Sequence, residues 1–163
     1  MTEPGHTHTY RATVEWVGTT AVGYGSYDRA HHVTCFPAMT ELDLSSDPAF
    51  NGNPAQLNPE QLLLAAAASC QLLSFLAVAA RARLDVVDYR DKASAAMPED
   101  DRPVRITAIT LRPTITLRRP AGGGETNEDQ LRRLVDVAHK ECFIANSLTS
   151  EITIVPTFRW AED

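Results

Sequence analysis

Two cysteines are the residues of this sequence best suited to chemistry. Cys70 lies inside the stretch from Leu62 to Ala80, which contains no charged side chain, and Cys142 ends a second, amphipathic stretch. If each stretch forms a helix and the helices pack together, the two sulfur atoms can meet across the core. One thiolate then attacks an O–O bond and becomes a sulfenic acid, and the other thiol condenses with it to a disulfide. The sequence therefore allows a two-cysteine redox cycle.

An attacking thiol needs a lowered pKa, which a nearby cation in a mostly apolar pocket provides. Arg29 is the candidate cation, because a tyrosine, an aspartate and two histidines flank it in the N-terminal part of the chain. The alternative is that Arg29 only pairs with Asp28 in a turn, since surface ion pairs are common.

The central helix has clear start signals. Asn58 is a good N-cap, Pro59 suits the first helical position, and Glu60 places a carboxylate at the positive end of the helix dipole. The helix is expected to run to Arg83 and, being apolar on every face, to be buried on every face. A membrane span is one alternative, but Gln71 near the centre and the many alanines argue against it. The other alternative is a core helix whose cysteine is only a small hydrophobe.

Strands are predicted on both sides of this helix from alternating or β-branched runs, and a second helix from an apolar stripe with a charged opposite face. The order βββ-α-ββ-α-β indicates a single α+β domain, residues 1–163, with long helices packed on antiparallel strands. Residues 1–9 are expected to form a flexible tail, 37–57 a long loop and 120–124 a flexible break. The predicted elements are strands at 10–17, 21–27, 31–36, 86–97, 104–117 and 152–160, and helices at 58–83 and 127–142, the second capped by Thr126 or Asn127.

Charge and cysteine usage exclude several classes of function. The 163 residues carry a net charge of −6 and the pI is near 5.3, which argues against a nucleic-acid or anionic-membrane partner. The N-terminal residues are polar and lack the apolar core of a signal peptide. Three cysteines without a CxxC do not make a secreted disulfide framework. We therefore expect a protein of the reducing cytoplasm.

A metal site is the first alternative from another class of function. His139 and Cys142 are three residues apart on one helix, and His31 and His32 are adjacent in a strand, where they point to opposite faces. Zinc needs four well-placed ligands, and no paired CxxC or HxxxH spacing supplies them, so we expect no metal. Both strand histidines are interpreted as structural or surface residues. Cys35 is interpreted as a buried structural thiol.

Several of these residues occur together in a known family. The run Asn58–Leu63 through Ser69–Cys70, and the later run Ala138–Cys142 with Asn146–Ser147, resemble the OsmC/Ohr family of organic hydroperoxide reductases. The Asn-Pro-Glu opening, with a cysteine ten residues after the glutamate, is fairly specific, and the second cysteine at the end of the second helix strengthens the match. The resemblance extends to the element order and so covers nearly the whole chain.

The resemblance implies a fold, an activity and a role for each site residue. Cys70 would be the peroxidatic nucleophile, Cys142 the resolving thiol, and Glu60 the carboxylate that holds the catalytic arginine. The protein would be an intertwined homodimer without a cofactor, re-reduced by an external dithiol such as dihydrolipoyl groups. One departure concerns the arginine: family members carry it in a glycine-flanked segment, which is absent around Arg29. Position still favours Arg29, with Arg11 as the second choice.

Helix geometry adds a constraint on the assembly. Glu60 and Cys70 are ten residues apart, which is about 15 Å along one helix at ~1.5 Å per residue. A carboxylate cannot act through one arginine on a thiolate so far away in the same subunit. If both belong to one site, they come from different subunits of a two-fold dimer. The alanine run Ala65–Ala68 is small enough for two such helices to approach closely.

The apolar residues near the cysteines indicate the substrate. A pocket lined by them would prefer alkyl, aryl or lipid hydroperoxides to hydrogen peroxide, because burying an organic tail contributes ~25 cal/mol per Å². The alternative function is a non-catalytic, dimeric ligand-binding protein that has kept the fold, since fold alone does not prove activity. The residues expected to line the pocket are Leu73, Phe75, Leu76 and Phe143.

Overall fold

Residues 7–119 and 127–162 are described by the computed structural model. These residues form two compact units, one ending at Leu62 and the other beginning at Leu63. Most of the predicted N-terminal tail, the predicted break at 120–124 and the alternative cap Thr126 lie outside the described residues. Each unit is described below by itself.

The first unit is built on a three-stranded antiparallel sheet. Strands β1 (Arg11–Glu15), β2 (His31–Phe36) and β3 (Thr40–Leu44) are paired in that order. Strand β3 corrects the prediction that residues 37–57 form one loop. Its alternating sequence, Thr-Glu-Leu-Asp-Leu, carries the strand signal, and its last residue is buried. A short 3-10 turn, Pro48–Phe50, occupies part of the remainder.

The predicted strand at 21–27 is wrong. The chain instead makes a 3-10 turn at Thr20–Val22 and continues through further turns to the start of β2. Gly23 explains the difference, because its φ of 91° interrupts the extended backbone that a strand requires. The side chain of Trp16 donates a hydrogen bond of 2.7 Å to the carbonyl of Asp28, which ties this irregular segment back to the end of β1.

Helix α1 runs from Pro59 to Arg81, close to the predicted bounds. Its start is a capping box: the Asn58 side chain accepts from the Gln61 amide at 2.8 Å, and the Gln61 side chain accepts from the Asn58 amide at 3.1 Å. Its end follows from Arg83, which adopts a positive φ of 60° and turns the chain away from the helix.

Burial of α1 corrects the expectation that every face is covered. The buried residues are Ala67, Gln71, Phe75, Val78 and Ala79. A second set, which we call the exposed stripe, recurs at helical spacing along one other face and is open to solvent in the single chain. The helix is long and apolar enough to cross a membrane, but the core helix of a soluble protein passes the same test. The exposed stripe consists of Ala65, Ser69, Leu73, Leu76 and Ala80.

The second unit contains two further three-stranded sheets. The two long strands predicted after α1 are each divided in two, giving β4 (Val86–Asp91), β5 (Ser94–Ala96), β6 (Ala108–Leu111) and β7 (Pro113–Leu117). The last predicted strand is divided into β8 (Glu151–Ile154) and β9 (Thr157–Trp160). The sheet orders are β4-β7-β9 and β5-β6-β8.

Strand pairing confirms that the strands predicted at 86–97 and 104–117 are antiparallel, and it corrects the direction of the final strands. β4 pairs with β7 and β5 with β6, both antiparallel, whereas β8 and β9 run parallel to their partners. The breaks between β6 and β7 and between β8 and β9 occur at residues whose amides do not take part in strand pairing. The Arg112 amide donates to the Asp91 carboxylate at 2.7 Å instead of to a strand, and Pro156 has no amide hydrogen.

Helix α2, Glu128–Glu141, confirms the second predicted helix and its cap. Asn127 is the N-cap and forms a capping box with Gln130. The predicted apolar stripe is buried at Leu131, Val135 and Ala138, which join Phe75 and other residues of α1 and β7 in one core cluster. With two helices and several strands, the α+β class is confirmed.

Candidate active site

The two predicted cysteines meet in the second unit. Cys70 projects from the middle of α1 and is half-buried, while Cys142 caps the C-terminus of α2 and is buried. The two thiols are close enough for each to shift the pKa of the other, and both are free. The amide of Ile144 donates to the Cys70 sulfur at 3.5 Å. The structure therefore brings two reduced thiols together at one place in the second unit.

The surroundings shift the two thiols in opposite directions. Burial alone would raise the pKa of Cys70, but hydrogen bonds from the Ile144 amide, the Cys142 thiol, the Phe143 amide and the Ser74 hydroxyl outweigh it and lower that pKa. For Cys142, burial dominates and the neighbouring Cys70 adds to it, so its pKa is raised. Cys70 is therefore the thiol that ionises first.

The chain after α2 explains how backbone amides reach Cys70. Helix α2 ends at Glu141, and the chain turns at once into a short 3-10 segment, Ala145–Ser147. The Asn146 side chain donates to the Lys140 carbonyl at 3.0 Å, and the Ser147 hydroxyl donates to the Phe143 carbonyl at 2.7 Å. These bonds hold the turn closed over the sulfur.

A cleft of about 480 Å³ opens beside Cys70, and we call it the cysteine cleft. Leu73 and Phe143 line it, with 63% and 80% of their surface exposed, as the sequence predicts. Phe75 has to be corrected: it is 0% exposed and belongs to the core cluster. Leu76 lies on the exposed stripe and does not line the cleft. Ser74, four residues after Cys70, lines the cleft and is a residue that the sequence analysis missed.

A second cavity, of about 450 Å³, lies entirely within the first unit, and we call it the arginine pocket. Aromatic side chains make much of its wall, and charged groups lie among them. Two of the predicted site residues line this pocket: Arg29, from the segment before β2, and Glu60, from the first turn of α1. Its lining includes Trp16, Tyr27, Arg29, His31, Phe50 and Glu60.

Arg29 is held by carbonyl groups and aromatic rings. Its guanidinium donates to the carbonyls of Tyr27 and Tyr24 at 2.8 and 2.5 Å, and it lies over the same two rings, 4.1 and 5.0 Å from their centroids. The alternative pairing with Asp28 is not formed in the structure, where the Asp28 carboxylate accepts from the Ala30 amide. Within residues 7–119 and 127–162, no ion pair involves Arg29. Its charge therefore stays available to a ligand.

Glu60 is positioned by the region before α1. The Asp47 carboxylate accepts from the Asn58 side chain at 3.2 Å and from the Ala49 amide at 2.8 Å, so the 3-10 turn and the helix start are fixed together. This places Glu60 in the lining of the arginine pocket. The second-choice cation, Arg11, is exposed on β1 and does not line that pocket.

The two adjacent histidines differ in their surroundings, as their strand positions predict. His32 is exposed and bonds to Asp43 at 2.6 Å, whereas His31 is half-buried and faces the arginine pocket, a placement that the sequence analysis did not foresee. Cys35 is exposed, so its interpretation as a buried thiol is wrong. In the described part of the chain, no three or more of His, Cys, Asp and Glu cluster closely enough to hold a metal ion.

The fold and the thiol pair define an α+β protein with two long helices that carry a free dithiol. The chain belongs to the family described as OsmC-like protein, whose match covers residues 52–157 and so more than half of the sequence. That family is the one which the residues around Cys70 and Cys142 indicated. The curated proteins contain no match to the sequence.

Solved structures of similar fold cover almost the whole chain. An OsmC-like protein of unknown function from Vibrio cholerae is 27% identical, with a TM-score of 0.81 over 92% of this chain and 99% of that one. An organic hydroperoxide resistance protein from Elizabethkingia anophelis is 20% identical, with a TM-score of 0.67 over 96% and 99%. Another from Legionella pneumophila is 18% identical, with a TM-score of 0.65 over 95% and 99%.

Proposed function

We propose that this protein is a thiol-dependent peroxidase that reduces organic hydroperoxides to alcohols. The observation that carries the proposal is the meeting of two free thiols, with the Ile144 amide donating to the Cys70 sulfur; in agreement with this geometry, the pKa of Cys70 is lowered and that of Cys142 is raised. A peroxidatic thiol must be ionised to attack, while a resolving thiol must stay protonated until the sulfenic acid has formed. Membership of the OsmC-like family and the names of the structural relatives support a role in peroxide defence.

The reaction is a two-electron cycle. The Cys70 thiolate attacks the terminal oxygen of the hydroperoxide, the O–O bond breaks, and the alkoxide leaves as an alcohol after it takes up a proton. Cys142 then attacks the sulfur of the Cys70 sulfenic acid, which forms the disulfide and releases water. An external dithiol, of which dihydrolipoyl groups are our first candidate, restores both thiols by two exchange steps.

We infer that the complete site is assembled from two subunits. Arg29 and Glu60 share one pocket in the first unit, and Cys70 lies in a cleft of the second unit. Since α1 is unbroken, Glu60 and Cys70 are about 15 Å apart along it. An arginine held by Glu60 of one subunit therefore acts on Cys70 of the other.

The exposed stripe of α1 supports the same dimer. This face suits close packing against an identical helix, because three of its residues are small: Ala65, Ser69 and Ala80. Such packing would also remove the apolar side chains of Leu73 and Leu76 from water, which is favourable. In a two-fold dimer the stripe would meet its own copy, and each of two sites would receive Arg29 from one chain and Cys70 from the other. Arg29 would then stabilise the Cys70 thiolate and the negative charge on the peroxide oxygens.

The lining of the cysteine cleft supports an organic substrate. Leu73 and Phe143 line the cleft, and Phe143, which lies outside the exposed stripe, is 80% exposed, so covering its surface with an alkyl or aryl tail contributes ~25 cal/mol per Å². Hydrogen peroxide has no such tail and gains none of this energy.

Three free thiols, with no disulfide among the described residues, also fit a reducing cytoplasm, to which we assign the protein.

The second candidate is a non-catalytic dimeric ligand-binding protein, for which the arginine pocket is the favouring observation. Titration of thiols before and after one equivalent of cumene hydroperoxide separates the two. The peroxidase loses two of its three thiols, and Cys70→Ser abolishes that loss. Cys35→Ser is the matched control and still loses two. Retention of all thiols, or a loss that Cys70→Ser does not change, would leave the binding protein.

A further inference from the structure

The departing alkoxide in the proposed reaction needs a proton, and the arginine pocket contains a group that fits this task. An alkoxide is a strong base and a poor leaving group, so transfer of a proton as the O–O bond breaks lowers the barrier. Arg29 cannot provide it, because a guanidinium stays protonated in proteins. Asp47 and Glu60 also face the pocket, as carboxyl groups, and Tyr27 as a phenol. His31 is the imidazole among the residues that line it.

Strand register explains why His31 and not its neighbour faces the pocket. In the antiparallel pairs, Val14 lies opposite Val33, two residues from His31, so Val14 and His31 share one face of the sheet. His32 lies opposite Asp43 and belongs to the other face, where it is exposed and bonded to that carboxylate. Two adjacent histidines are thus separated by the sheet itself.

The hydrogen bonding of His31 fixes which ring nitrogen is available. Its Nδ1 lies 2.9 Å from the carbonyl oxygen of Arg29. A carbonyl can only accept, so Nδ1 carries a hydrogen and donates it, and Nε2 is the atom that gains or loses a proton. The same bond ties the imidazole to the backbone of the arginine itself. One local structure therefore positions both a permanent cation and a group that can transfer a proton.

We propose that His31 is the general acid that protonates the departing alcohol, a role that rests on the proposed peroxidase function. In the step, His31 enters as the imidazolium, with a proton on each ring nitrogen. The Cys70 sulfur bonds to the terminal peroxide oxygen, the O–O bond breaks with its electron pair on the alkoxide oxygen, and the Nε2 proton moves to that oxygen and leaves a neutral imidazole with its hydrogen on Nδ1. Water then returns a proton to His31. Arg29 stabilises the charge, and His31 neutralises it.

The test compares His31→Gln with the adjacent control His32→Gln in the full-length protein. Stopped-flow kinetics measure Cys70 oxidation by tert-butyl hydroperoxide, whose alkoxide needs a proton, and by peracetic acid, whose leaving carboxylate needs none. We expect His31→Gln to slow the first reaction about 100-fold, in the range of general-acid catalysis, and to change the second less than about threefold. His32→Gln should react with both oxidants at wild-type rates.

The outcomes distinguish this inference from the function on which it rests. An equal loss with both oxidants, or no loss with either, would overturn the role of His31 while Cys70 remains a peroxidatic cysteine. A wild-type protein whose Cys70 is oxidised by neither oxidant would overturn the peroxidase itself. The retained reaction with peracetic acid also shows that His31→Gln is folded, so a selective loss is not a folding defect.

Discussion

Cys70 and Cys142 are neighbours that influence each other's ionisation, and yet the pKa of the first thiol is lowered while that of the second is raised. The difference comes from position and not from residue type. The turn after α2 directs the Ile144 amide at the Cys70 sulfur, whereas Cys142 lies beneath that turn and is only 2% exposed. Two identical side chains thus differ in pKa, and Cys70 is the one that ionises more readily.

The first prediction concerns the pH dependence of alkylation. A lowered pKa keeps Cys70 as thiolate at pH values where an ordinary thiol is protonated, so its alkylation rate should reach half-maximum at a lower pH than in the unfolded protein. Cys142, with a raised pKa, should reach it at a higher pH. Site-resolved mass spectrometry after timed iodoacetamide treatment measures both, and identical midpoints for the two cysteines would contradict the assignment.

The variant Ser74→Ala tests one cause of the lowered Cys70 pKa by the same alkylation measurement. The Ser74 hydroxyl contributes to lowering the pKa of Cys70, because a hydrogen bond to a charged group favours the charged form. Ser74→Ala should therefore move the Cys70 midpoint to a higher pH. Ser69→Ala, on the exposed stripe next to Cys70, is the control that should leave the midpoint in place.

The second prediction separates the two cysteine roles. In Cys142→Ser, Cys70 should still consume one equivalent of peroxide, but its sulfenic acid has no thiol to condense with and accumulates. Dimedone labelling followed by mass spectrometry should find one adduct, on Cys70. Turnover with an external dithiol should fall strongly, since resolution then depends on collision. A dimedone adduct on Cys142 in the Cys70→Ser variant would reverse the roles.

The features that depend on neighbouring residues are the ones most reliably predicted from the sequence. Both helices begin at the predicted asparagine caps, Asn58 and Asn127, because a cap needs only its own turn. The interruptions at Arg112 and Pro156 were missed, because pairing with distant strands decides where a strand ends. The parallel direction of β8 and β9 was missed for the same reason.

The site was predictable by residue type but not by placement. Cys70 and Cys142 stand out as nucleophiles on helices, whereas Ser74 and His31 carry no chemical signature that separates them from other serines and histidines. Only strand register puts His31 on the pocket face, and only the turn after α2 brings the Ile144 amide to the Cys70 sulfur, whereas Ser74 reaches that sulfur from the next turn of α1. The expectation of complete burial for α1 failed at the exposed stripe, whose residues are open to solvent in the single chain.

The third prediction tests the corrected places of two phenylalanines. Phe75 is fully buried in the core cluster, so Phe75→Ala should lower the free energy of unfolding by about 3–5 kcal/mol. Phe143 is 80% exposed in the cysteine cleft, so Phe143→Ala should change stability by less than about 0.5 kcal/mol. It should instead raise KM for cumene hydroperoxide and leave hydrogen peroxide reduction unchanged. Urea unfolding and steady-state kinetics measure these effects, and an equal stability loss in both variants would contradict them.

The fourth prediction tests whether each site draws on two chains. Arg29→Ala and Cys70→Ser homodimers should both be inactive: the first lacks the charge that stabilises the thiolate and the peroxide oxygens, at a cost of about 100-fold or more, and the second lacks the nucleophile. Co-expression of the two variants with different affinity tags, followed by purification on both tags, isolates the mixed dimer. One of its two sites then combines an intact Arg29 from one chain with an intact Cys70 from the other.

The mixed dimer should therefore recover about half of the wild-type activity per dimer, as the two-fold symmetry of the assembly requires. A mixed dimer of Arg11→Ala with Cys70→Ser is the control, since Arg11 does not line the pocket; it keeps the one site that has an intact Cys70, and so again about half of the activity. If Arg29 acted on Cys70 of its own chain, neither site of the first mixed dimer would be complete and it would stay inactive. Activity in that dimer thus depends on whether Arg29 and Cys70 of one site belong to different chains.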